Sequence, residues 1–265
     1  MRGLLNAVRS TYSYFHELKF SGLNRSGRGE KVATGKKWAS IVLDEAKQNG
    51  ALYLKILGID RHNLNENAFG ENSSKSATYA AMYNRFFRSQ LIGGLKYYFG
   101  ADHPIVVDEV VHDTEGNLEN HEYFDWHSIM CAERDVENVS VKTNSIQFVD
   151  SDPKSLEAHP VHTEFVQFAD IILGAISHCV ECHNRRNEGM HEVAKVLLPL
   201  VERMSHNPRN RNSSYGYHRR YGISFFPKEK VSKSEGECST DGLYSNRQMA
   251  LKTKVSGQRS IPGIG

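Results

Sequence analysis

Apolar positions recur at three- and four-residue steps near the start of the chain, at Leu4, Leu5, Val8, Tyr12 and Phe15. That spacing predicts an amphipathic helix. A polar, glycine-containing loop follows, FSGLNRSGRGEKVATG. Residues 36–49 predict a second helix, with Gly50 placed to end it as a C-cap. ALYLKILGI, 51–59, predicts a strand. Residues 77–98 predict a long helix with Tyr79, Met82, Tyr83, Phe86 and Phe87 on its buried side. PIVVDEVV, 104–111, alternates little, the pattern of a strand covered on both faces. A helical stretch is expected at 119–134 and a strand at SIQFVDS, 145–151. His162 to about Cys182 predicts a strongly apolar helix, and 189–204 another, bent or ended by Pro199. A short strand is expected at 221–227. Strands alternating with helices predict an α/β fold with a parallel or mixed sheet.

Composition narrows the classes. The 265 residues carry 33 Lys and Arg against 31 Asp and Glu, with 10% aromatics, which excludes a disordered polyelectrolyte. The longest apolar run, Phe165–Ile176, is broken by Gln167 and Asp170, so no membrane span is expected. The N-terminus lacks an uninterrupted apolar core and reads as mature protein. Four cysteines make no disulfide framework, which places the chain in a reducing, cytoplasmic compartment. The near balance of charge hides an asymmetry. Residues 205–265 hold 11 basic and 4 acidic residues, and the rest of the chain is net acidic. We therefore expect a body at 1–204 and a basic, loosely ordered segment at 205–265. Arg219, Arg220, Lys228 and Lys230 are its candidate nucleic-acid contacts. Tyr215, Tyr217 and Tyr221 interleave with the arginines and could stack on a single strand.

Three aspartates stand out. Asp108 closes Ile105-Val106-Val107, and Asp150 closes Ile146-Gln147-Phe148-Val149. Ligand sites in open α/β sheets lie outside the carboxyl ends of strands. Asp170 lies within the apolar helix, on the shoulder of a core stripe drawn through Phe165, Ala169, Ile172 and Ile176. No Lys or Arg lies within three positions of Asp108 or Asp170. A lone buried carboxylate is costly to desolvate without a positive partner. Carboxylate oxygens suit Mg²⁺ and Mn²⁺, so convergence of the three would make a metal site for phosphodiester hydrolysis. Each aspartate also has an ordinary reading, as a turn residue or an ion-pair partner.

HELKFS (16–21), IVVDEVV (105–111), IQFVDSD (146–152) and FVQFADIILGAIS (165–177) together resemble successive blocks of the DUF3800 family. The resemblance spans roughly residues 12–178. It implies an RNase H-like mixed sheet flanked by helices, and a nuclease activity dependent on Mg²⁺ or Mn²⁺. Matched residue by residue, it implies Asp108, Asp150 and Asp170 as metal ligands, with Glu17 as a further catalytic carboxylate. The family opens with a strand reading aromatic-Ile-Asp-Glu-Ser-Gly, and this sequence has no such strand. Two readings therefore stand: a nuclease, or a catalytically inactive RNase H-like module that binds nucleic acid or a protein partner.

Other motifs are weaker. His178-Cys179-x-x-Cys182-His183 offers haem-attachment and zinc-ligand chemistry. One continuous helix cannot aim all four side chains at one ion, so incidental thiols at a helix end are the simpler reading. His159 and His162 precede the Asp170 helix and are candidate proton shuttles or simply residues at its start. Lys19 could orient a phosphate or sit on the surface. Gly27-x-Gly29 follows no strand, so a phosphate-cradling loop is not expected.

Overall fold

A computed structural model describes residues 1–47, 51–59, 64, 69, 74–99, 104–114, 138–152, 160–181, 187–205 and 220–226. Among them are five helices and six strands: α1 (Arg2–Tyr12), α2 (Glu30–Lys47), β1 (Leu54–Ile59), α3 (Lys75–Phe99), β2 (Ile105–Val107), β3 (Val111–Asp113), β4 (Val139–Val141), β5 (Gln147–Val149), α4 (Pro160–Glu181), α5 (Glu188–Ser205) and β6 (Tyr221–Phe226). The architecture is mixed α/β with small parallel sheets. The chain divides into two units. The first joins residues 1–54 to everything from Gln167 onward, and the second is Lys55–Val166.

The first unit is helical at its core. α1 ends at Tyr12 because Ser13 turns left-handed, with φ 51°. The chain then leaves the helix, so Phe15, expected on the buried stripe, is exposed. α2 begins at Glu30, six residues earlier than its apolar spacing indicates, as the Thr34 hydroxyl and the Ala33 N–H close its first turn onto Glu30 and Gly29 carbonyls. Gly50, its expected stop, lies outside the described residues. Trp38 of α2 is fully buried, meets the Phe168 ring edge-on at 6.0 Å and donates its indole N–H to the Leu5 carbonyl. α5 supplies Val193, Ala194, Leu197 and Val201 to the same core. Pro199 sits inside α5 without ending it. Tyr221 of β6 is buried, which pushes its phenol up to about 12, with the Glu45 charge adding and Arg220 opposing.

The polar loop has a structural job. Carbonyls of Asn24 and Arg25 accept the Gly189 and Glu188 N–H groups at the start of α5. Asn187 donates to the Leu23 carbonyl and accepts the Met190 N–H, capping the same helix. The loop therefore offers carbonyls to a helix N-terminus.

In the second unit, β2 pairs with β4 and β3 with β5, both parallel. The stretch expected as one covered strand at 104–111 is two short ladders separated by Asp108-Glu109-Val110. It is not covered on both faces, because Val106 is 49% exposed. Ile146 is buried against Tyr83, Phe87, Val110, Val141 and Phe148. The Tyr83 hydroxyl lies 2.8 Å from His112 Nε2. Of the aromatic face expected on α3, Met82 is buried and Tyr79 is exposed. The helix expected at 119–134 lies outside the described residues.

α4 forms as expected, but its faces differ from the drawn stripe. Phe165, Ala169 and Leu173 are exposed, Leu173 by 55%. The buried positions include Phe168, Ile171, Ile172, Ala175, Ile176 and Cys179. By length and composition, Pro160–Val180 is apolar enough to cross a membrane, contrary to the estimate from its longest unbroken run, yet 61% of that window is buried within the protein.

Candidate functional site

The site residues in the first unit are built on an extended segment laid along α4. Residues 17–20 alternate half-buried Glu17 and Lys19 with buried Leu18 and Phe20. In extended backbone, alternate side chains share a face, so Glu17 and Lys19 point together. The alternate N–H groups share an edge. Leu18 N–H donates to Gln167 Oε1 at 2.9 Å, and Phe20 N–H donates to Asp170 Oδ2 at 2.7 Å. Gln167 and Asp170 are three apart on α4, on neighbouring turns of one helix face. The helix thus reads the segment's backbone with two side-chain acceptors.

Two further features hold the segment. Arg9 is buried, stacks 4.8 Å over Trp38, and donates to the carbonyls of Tyr14 and His16 and to Gln167 Oε1 at 2.6 Å. Gly174 lies one turn beyond Asp170, and its missing side chain leaves room for the Phe20 ring. A Cβ there would fall 2.4 Å from Phe20 Cγ. The same ring meets His178 edge-on at 6.0 Å, and His178 meets His191 at 5.8 Å.

The electrostatics follow from this placement. Burial pushes the Asp170 carboxyl above its usual range; the Phe20 N–H and then the Lys19 charge oppose this, while Glu17 adds to it. Glu17 pairs with Lys19 at 2.9 Å. A second cation, Lys31 of α2, lies near enough to feel the Glu17 charge, while burial lowers its own pKa. The fold thus ties Asp170 by a hydrogen bond to the segment that carries Glu17 and Lys19, and both Asp170 and Lys31 feel the Glu17 charge. Both carboxylates offer hard oxygen donors, and one is charged at a cost. That donor set suits Mg²⁺ or Mn²⁺, which take one or two protein carboxylates and complete their shells with water and phosphate oxygens.

The candidates in the second unit are differently engaged. Asp108 is 71% exposed and pairs with Lys142 at 2.7 Å. Lys142 follows β4 by one residue, so the parallel register sets it beside Asp108, and its N–H also donates to the Val107 carbonyl. The cation missing from the flanking sequence is supplied by the neighbouring strand. Asp150 is exposed, and its Oδ1 accepts the Asp152 N–H in a turn. Its carbonyl accepts the Thr163 hydroxyl at 3.4 Å. His162, a candidate shuttle, lies 2.9 Å from Glu109. Among the described residues, no three His, Cys, Asp or Glu side chains form one metal-holding group.

Cys182, His183, His159, Tyr215, Tyr217, Arg219, Lys228 and Lys230 lie outside the described residues. Cys179 is buried and donates to the Ala194 carbonyl at 3.3 Å. Arg220 stacks 5.4 Å over Tyr53, and its carbonyl accepts the Leu54 N–H. Arg9, Gln167, Gly174 and Lys31 escaped sequence reasoning. The apolar-polar alternation at 17–20 and a cation in the first turn of α2 were the available signals.

The chain matches no family model, no curated protein and no solved structure.

Proposed function

We propose that the protein is a metal-dependent phosphodiesterase acting on nucleic acid in the cytoplasm, with an RNase H-like fold of the DUF3800 kind. The observation that carries this reading is the Asp170 carboxylate held by Phe20 N–H, on the same short segment that carries the Glu17–Lys19 pair. Both carboxylates are among the residues the family resemblance assigns.

Glu17 and Asp170 would hold Mg²⁺ or Mn²⁺. The chemistry such an ion supplies is polarisation of the phosphodiester and a lowered pKa for attacking water. The chain's own residues do the rest. Phe20 N–H holds the Asp170 carboxylate through Oδ2. Lys19 balances Glu17 and is placed to orient a phosphate oxygen. Asp108 and Asp150 enter as ligands through the family resemblance. Their present engagement, Asp108 with Lys142 above all, favours the second reading, a non-catalytic nucleic-acid-binding module.

The test uses labelled DNA and RNA with and without Mn²⁺, beside Asp170→Asn, Asp108→Asn and Asp150→Asn. Asn at 170 keeps an acceptor for Phe20 N–H and removes the charge. Cleavage that requires Mn²⁺ and falls at least about 100-fold in Asp170→Asn, roughly 2.7 kcal/mol of barrier, supports the enzyme. Oligonucleotide binding without cleavage supports the module. Absence of both overturns the proposal.

A further inference from the structure

Lys31 is in the first turn of α2, where a cation opposes the helix dipole. It is half-buried, and among the described residues no carboxylate forms an ion pair with it. Its ammonium occupies the space left by the missing side chain of Gly22. A Cβ on Gly22 would lie 2.7 Å from Lys31 Nζ and 3.5 Å from the Lys19 carbonyl. Lys31 is thus held over the 19–22 turn, beside the segment that carries Glu17 and Lys19. A cation placed at the disfavoured end of a helix, partly desolvated and without a direct counter-ion, is poised for an anion brought from outside.

We propose that Lys31 is a substrate-positioning residue that binds a backbone phosphate of a nucleic-acid strand, making with Lys19 a two-lysine clamp beside Glu17 and Asp170. The inference rests on the nuclease reading and deepens it by naming the group that registers the strand. The two cations have different roles. Lys19 is already paired with Glu17 and balances the carboxylates, whereas Lys31 is offered to the substrate. Lys31 donates N–H groups to a phosphate oxygen and takes part in no proton transfer. Burial lowers its pKa, and the Glu17 charge offsets only part of that.

Fluorescence anisotropy with a labelled single-stranded oligonucleotide in EDTA, over a series of salt concentrations, tests this without metal or turnover. One phosphate contact on a single strand contributes a slope of about 0.7 in log K against log salt, or roughly fivefold in affinity at 0.1 M salt. Lys31→Met should lose that fivefold and flatten the slope by about that amount. Lys31→Arg should restore both. Gly22→Ala keeps every charge but displaces the ammonium, and should reproduce the loss. Lys37→Met, at an exposed position of α2, should leave the slope unchanged. A wild-type slope in Lys31→Met overturns the assignment of Lys31, and the nuclease reading survives if Mn²⁺-dependent cleavage persists. A wild-type protein that neither binds the oligonucleotide nor cleaves it overturns both.

Discussion

Replacing Gly174 by Ala should destabilise the protein, against the usual sign for this change in a helix. In an exposed helix interior, Gly→Ala gains about 1 kcal/mol. Here the new Cβ would lie 2.4 Å from Phe20 Cγ and 2.6 Å from two further Phe20 ring and side-chain carbons. Phe20 is buried against α4 and cannot swing into solvent without exposing its ring. Forcing a methyl into such a site costs about 1–3 kcal/mol. The shift also pulls Phe20 N–H away from Asp170, and a hydrogen bond to a charged group is worth about 1.5–3 kcal/mol. The terms sum to a net loss of about 1.5–5 kcal/mol. The assay is urea denaturation of a double-mutant cycle with Phe20→Ala, read at constant m-value. Once the ring is gone, Gly174→Ala should be neutral or stabilising by up to about 1 kcal/mol. The reasoning fails if Gly174→Ala stabilises the wild-type background, or if its effect is the same in both.

Four further outcomes follow from the same geometry. Arg9→Met keeps the apolar stem but removes the guanidinium donor from the Tyr14 and His16 carbonyls and one of the donors to Gln167 Oε1, and should cost about 2–4 kcal/mol in chemical denaturation. Asp108→Asn should change stability by less than about 0.5 kcal/mol, because its partner Lys142 is as exposed as it is, and calorimetry measures this directly. The hydrogen bond and charge of Lys36 hold the Glu192 carboxyl below its usual range. A depressed carboxyl adds stability above its unfolded pKa and loses it as pH falls through the folded one. Stability should therefore drop below about pH 4.5, and Lys36→Met should shrink that drop by a few tenths of a kcal/mol, since the pair is partly solvated. Asp170→Ala should cost more stability than Asp170→Asn, by about 1 kcal/mol in urea titration, because only Asn can still accept the Phe20 N–H.

The helices were largely legible in the amino-acid order. Their periodic apolar spacing is local, and α1, α2, α3, α4 and α5 all appear near the expected residues. Strands of three residues such as β2 to β5 carry too few positions to state a period. The expected strand at 104–111 accordingly broke at Asp108, and Val106 emerged exposed. Of the four acidic candidates, the tertiary arrangement tied Asp170 to the segment that carries Glu17 and Lys19, through the Phe20 N–H. It gave Asp108 a lysine from the next strand that no search of flanking residues could find.

By itself, the order of residues determined where helices form and which carboxylates merited attention, because propensity and spacing act over a few residues. Only the tertiary structure decided which face of α4 is covered, which backbone donor Asp170 holds, and why Gly174 must lack a side chain. Those outcomes depend on groups more than a hundred positions apart coming within 3 Å, as Phe20 and Asp170 do, and a distance of that kind is set by the packing of the whole core.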